Sequence, residues 1–209
     1  MKKSKIIIAL LLASALVIIG PSGCSHPKKT TPYITTSSET AADILSRAAS
    51  ITSVTLDEVI TSGIQVTTIK VWMKGNKIRI EAFQQGQTTV TLIDTAVKTT
   101  YTYIPAQNTA TKTQFDPSFQ TIQQRTQGVI SYNPTVVGTE MLDGKLCMLI
   151  QYNHPQGMAV KEWDWKQYGF PIRIESVAST GLTLVECKNI DFSDIADSMF
   201  ELPAGVKIN

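Results

Sequence analysis

Hydrophobic positions along this chain obey three rules in succession. Residues 6–20, Ile6 to Gly20, are apolar with Ser14 as the one polar interruption. Residues 25–39 then turn to Ser, Thr, Pro and Lys with almost no large apolar group, a composition that cannot bury enough surface to order itself. From about residue 40 the apolar positions become periodic. Ala41, Ile44, Leu45, Ala48 and Ile51 share one helical stripe, with Ser38 as the N-cap and Glu39 suited to the positive helix start.

Beyond that helix the period drops to two. Lys77 to Ala82 alternates with Ile78, Ile80 and Ala82 on one face; Thr88 to Asp94 adds Val90 and Leu92, and Val97 to Ile104 adds Val97, Tyr101 and Tyr103. These predict neighbouring strands of one curved antiparallel sheet. Ile64 to Lys74 changes parity between Val66 and Ile69, which predicts a bulge near Thr67 and Thr68. Gly75-Asn76 predicts a tight turn. Asp116-Pro117 predicts a helix start, and the segment to about Thr126 carries only Phe119 and Ile122 as large apolar anchors. So lightly held a helix suits a lid or a short surface helix. After the Asp143-Gly144 turn, Lys145 to Tyr152 is apolar on both parities, as in a strand covered on both faces. Met158 to Lys166, Pro171 to Ala178 and Leu182 to Phe192 continue as a meander.

The opening segment changes what the rest of the chain can be. Three lysines in Met1 to Lys5, the apolar run and Pro21-Ser22-Gly23 before Cys24 form an export signal, too short for a membrane span. Cys24 after two small residues resembles the bacterial lipobox, although Pro21 stands where leucine is usual. The expected organisation is a signal peptide over 1–23, lipidated Cys24 with a flexible tether over 24–39, and one domain over 40–209. Multiple acyl chains on Cys24 would anchor the protein to the outer face of a membrane. The net charge of +2, from 19 basic and 17 acidic residues, becomes −1 when Lys2, Lys3 and Lys5 leave with the signal. No polybasic face for nucleic acid remains. Charged residues are 17% of the chain, below the usual share of about 25%, which with 26 threonines favours strands.

Chemistry is sparse. His26 and His154 are the two histidines, and the chain holds no G-x-S-x-G elbow, no phosphate-cradling loop and no metal-spaced cluster. The expectation is a protein without catalytic residues, metal or cofactor. Asp164, between Trp163 and Trp165, reads in two ways: a carboxylate whose pKa the flanking aromatics raise, or, the favoured reading, the solvent-facing member of an alternating strand. Cys147 and Cys187 both fall in predicted strands and stand either as a disulfide or as buried thiols.

Trp72-Met73-Lys74-Gly75-Asn76-Lys77-Ile78-Arg79 resembles a hairpin of the LolA-like periplasmic lipoprotein-carrier superfamily, and within it the lipid-anchored members related to LppX and LprG. Gly138-Thr139-Glu140, Asp143-Gly144-Lys145, Gly169-Phe170-Pro171-Ile172-Arg173, Asn189-Ile190-Asp191-Phe192 and the closing Asp197 to Gly205 are similar to the same family, in the same order. The resemblance implies an α+β fold: a strongly curved antiparallel sheet, an open half-barrel, with helices in its concave face and an apolar cavity for acyl chains. The expected lining is Ile44, Leu45, Ile78, Ile80, Val90, Leu92, Tyr101, Tyr103, Phe119 and Ile122. The soluble carriers hold the lid with an arginine before a proline in this hairpin. Lys74-Gly75-Asn76 has neither, so that latch is not carried over and Arg79 does not inherit it.

Two functions follow from the resemblance. One is a monomeric, lipid-anchored carrier or chaperone that shields acyl chains of lipids or lipoproteins. The other is a sensor or interaction module of the same fold, as in sigma-factor regulatory proteins.

Overall fold

Thr40 opens the folded domain. Its hydroxyl accepts from the Asp43 amide while the Asp43 carboxylate accepts from the Thr40 amide, a capping box that starts α1 at Ala41–Leu45. The computed structural model describes residues 39–84 and 86–209. The expected signal segment, Cys24 and the expected tether up to Ser38 lie outside the described residues; Glu39, the last tether position, pairs with Arg47 and Lys166, and the N-cap is Thr40 rather than the expected Ser38. The helical stripe is real but short: α1 tightens into a 3₁₀ turn over Ser46–Ser50, and Ala41, Ile44, Leu45, Ala48 and Ile51 are all buried.

Twelve strands follow among the described residues: β1 Ser53–Ser62, β2 Gln65–Lys74, β3 Lys77–Gln84, β4 Gln87–Asp94, β5 Thr99–Ile104, β6 Thr109–Thr113, β7 Thr135–Leu142, β8 Lys145–Asn153, β9 Ala159–Trp165, β10 Phe170–Ala178, β11 Gly181–Asp191 and β12 Lys207–Ile208. They form one open sheet in the order β12-β6-β5-β4-β3-β2-β1-β11-β10-β9-β8-β7. All neighbours are antiparallel except β12 and β6. Two meanders therefore meet at one seam, where β1 pairs with β11. This is the expected open half-barrel.

Three expectations about strands and the mid-chain helix need correction. No bulge interrupts β2, which pairs with β1 in unbroken register from Ser53–Lys74 to Ser62–Gln65. The change of parity arises because Ile64 and Val66 sit at an exposed hairpin tip, where neither parity is inward. Register shifts occur instead in β11 at Asn189 and Ile190, opposite Thr55/Asp57 of β1, in β7 at Val136/Gly138 and in β10 at Pro171/Arg173. Val97 belongs to the exposed turn before β5 rather than to the strand. Asp116-Pro117 starts only a single turn, in which Asp116 accepts from the Ser118 amide. The helix α2 begins later, at Ile122–Ser131, because Thr121 and Gln124 build a second capping box there.

Candidate functional site

Strand register sorts the side chains onto two faces, because directly paired residues point the same way. Val54, Leu56, Glu58 and Ile60 of β1 align with Met73, Val71, Ile69 and Thr67 of β2, and these with Ile78, Ile80 and Ala82 of β3. Ile78 and Ile80 are fully buried in a cluster with Ala48, Ile51, Ile122 and Phe170, against which Phe115 and Phe119 pack. This inner face is the one the helices cover. Further along the sheet, Ile44 and Leu45 of α1 meet Val129 of α2 and Met148 and Ile150 of β8.

Six of the ten expected lining residues, Ile44, Leu45, Ile78, Ile80, Phe119 and Ile122, thus come together under the helical cover. The other four do not. Leu92 pairs with Arg79 and Tyr101, and Val90 with Glu81 and Tyr103, so all four lie on the outer face. There Val90, Leu92, Tyr101 and Tyr103 pack with Ala110 beneath Leu202 and Val206 of the C-terminal segment. The inner positions of these strands are largely hydroxyl groups: Thr91, Thr102 and Thr111 form one cross-strand row, and Ile93, Thr100 and Thr113 another. Parity misled because β4 is covered on both sides, leaving apolar residues on each.

The inner face also holds charge. Glu58 of β1 and Glu162 and Asp164 of β9 are completely buried, and Arg125 enters from α2 at 6% exposure. Arg125 pairs with Glu162, whose second oxygen accepts from the Tyr152 hydroxyl at 2.9 Å. Burial alone would neutralise Glu162, but the guanidinium and these donors hold it below its ordinary range. Burial favours the neutral form of its neighbour Asp164, and the Glu162 charge adds to that, so Asp164 is raised well above its ordinary range and keeps its proton. Glu58 has no hydrogen-bond partner on either oxygen, and burial pushes it up to about 8 against a modest pull from Arg125. Asp164 is therefore interior rather than solvent-facing, because helices cover one side of β9 and Trp163 packs on the other.

Cys147 and Cys187 are free buried thiols rather than a disulfide, since β9 and β10 separate their strands. Burial pushes Cys147 up to about 12 and raises Cys187 as well, so both remain unreactive thiols. Among the described residues no three of His, Cys, Asp and Glu are grouped to hold a metal ion. No helix of the described residues is long and apolar enough to cross a membrane.

No family model and no curated protein matches the chain. Solved structures do. An uncharacterised conserved protein from Thermus thermophilus aligns over 81% of this chain and 96% of its own, at 11% identity and a TM-score of 0.59. LprF from Mycobacterium bovis aligns over 79% and 97%, at 14% identity and 0.50. The fold is the one these structures share: an open, curved, mostly antiparallel sheet with helices over its inner face. MucB shares it over 80% of this chain at 14% identity and a TM-score of 0.53, with 64% of MucB covered, and is also seen in complex with MucA from Pseudomonas aeruginosa.

Proposed function

We propose that this is an extracytoplasmic, lipid-anchored protein that binds acyl chains of lipids or lipoproteins between its inner sheet face and the helical cover. The observation that carries this reading is the thinness of the cover. A continuous apolar wall of Val54, Leu56, Ile69, Val71, Ile78 and Ile80 is closed by two helices, a 3₁₀ turn and residues 114–121, which have no regular structure. Displacing Phe115, Phe119 and Ile122 would hand that wall to a hydrocarbon chain, each buried methylene contributing about 0.8 kcal/mol. The closed arrangement is then the unloaded one. The full chain, extracted gently from the membrane, should carry lipid in native mass spectrometry and take up a fluorescent fatty acid. Protein that is always empty and takes up none would sink the reading.

The interaction-module reading has one observation in its favour: the inner wall is filled by the protein's own side chains. The likeness to MucB, known in complex with MucA, is compatible with it. In that case the protein stays empty and the cover stays shut.

A further inference from the structure

Charge on the inner face does not balance. The inner positions of β1, β2, β8, β9, β10 and β11, read from their register, hold three carboxyls and no lysine or arginine, while Lys70, Lys161, Arg173 and Lys188 take outer positions. Among the described residues Arg125, contributed by α2, is the one base that pairs with these carboxyls, and it is already committed to Glu162. Its charge acts on Glu58 and Asp164 as well, so all three acids lie within electrostatic reach of one guanidinium. Two carboxyl groups are thus left with no cation of their own, and both oxygens of Glu58 are buried without a donor. Such groups are costly to fold into an apolar interior unless something supplies the missing donors. The surroundings are hydrocarbon on both sides: Met148, Ile150 and Leu45 toward α1, and Ile174 and Val185 toward the β1–β11 seam.

We propose that Glu58, with the Glu162–Asp164 pair, forms an internal binding site for a primary ammonium group carried on a hydrocarbon chain. An ammonium has three donors for the unpartnered carboxyl oxygens and supplies the absent positive charge, and its tail lies on the adjoining apolar wall. Glu58 releases its proton to solvent as the cation arrives, so one proton leaves for each amine bound. This inference rests on the acyl-chain reading and narrows the cargo to amphiphiles with a basic head.

The test uses the full chain in uncharged detergent, titrated calorimetrically with hexylamine, hexanol and hexanoate in two buffers of different ionisation enthalpy. Hexylamine should bind at least tenfold more tightly than the other two, with about one proton released. Glu58→Gln, close in shape and unable to ionise, should reduce that preference below threefold and abolish proton release. Glu175→Gln, on the outer face, should leave both unchanged. Equal binding of all three probes, or a preference that survives Glu58→Gln, overturns the ammonium site while leaving the acyl-chain reading in place. Binding of none of the three overturns both.

Discussion

Glu58 sets the pH behaviour of the fold. Burial raises it from an ordinary 4.5 to about 8, so between those values the folded chain holds a proton that the unfolded chain has released. The stability this contributes is complete below pH 4.5 and is lost as pH rises through about 8, by up to about 1.4 kcal/mol per pH unit. Asp164 acts in the same direction. His154, lowered by burial, opposes them, but only below its ordinary 6.5. Arg125 from α2 and Cys187 from β11 are the other ionisable groups that bear on Glu58. Urea unfolding should therefore show stability falling between about pH 7 and 8, and Glu58→Gln should flatten that slope; a wild-type slope unchanged by the substitution would refute the assignment. Arg125→Met should be worse than Glu58→Gln, at about 3–5 kcal/mol, because it strands Glu162 as a buried charge. Of this polar interior the sequence offered only the less favoured reading of Asp164, a carboxyl raised by its aromatic neighbours. Alternation assigns charged strand residues to water, and Glu58, Glu162 and Asp164 violate that assignment, only Glu162 through an ion-pair partner, which lies 37 residues away.

Elements were read best where one face alone is covered. Lys77 to Ala82 alternates as β3 does, and the paired positive φ values of Asp143 and Gly144 bear out the hairpin expected there. β1 went unpredicted because Glu58 stands in the middle of the inward series Val54, Leu56, Ile60 and hides its period. The start of α2 was placed too early because Asp-Pro marks an isolated turn as readily as a helix. Two substitutions test how the cover is held. Gly169 adopts φ +63, and a Cβ there would lie 2.2 Å from the Ile44 carbonyl oxygen of α1. Gly169→Ala should cost more than about 2 kcal/mol, since a left-handed backbone alone costs about 1–2 and the clash pushes α1 away, as thermal unfolding would reveal. Thr121→Ala removes the cap of α2 and should cost about 1 kcal/mol, with hydrogen exchange accelerated in α2 before the sheet. Equal acceleration throughout would mean that the cover does not open on its own.

For the molecule as a whole, alternation and turn residues made a curved antiparallel sheet legible, while the open half-barrel was expected from the family resemblance. What the sequence could not convey was which parity faces inward wherever the C-terminal segment also covers the outside. That segment straps the outer face: Lys74 reaches the Ile195 carbonyl at 2.7 Å, Arg79 reaches the Met199 carbonyl at 2.9 Å, and β12 closes the edge of β6. The pairing of β1 with β11 has a further bearing on how such a chain comes to maturity. A polypeptide delivered from its N-terminus, off a ribosome or through a translocon, presents β1 first and must keep one flank of it waiting until residues near 190 have emerged. Closure joins ends of the domain more than a hundred residues apart, a step that chain entropy makes slow. Until β11 arrives, that flank of β1, Glu58 included, stays open to water.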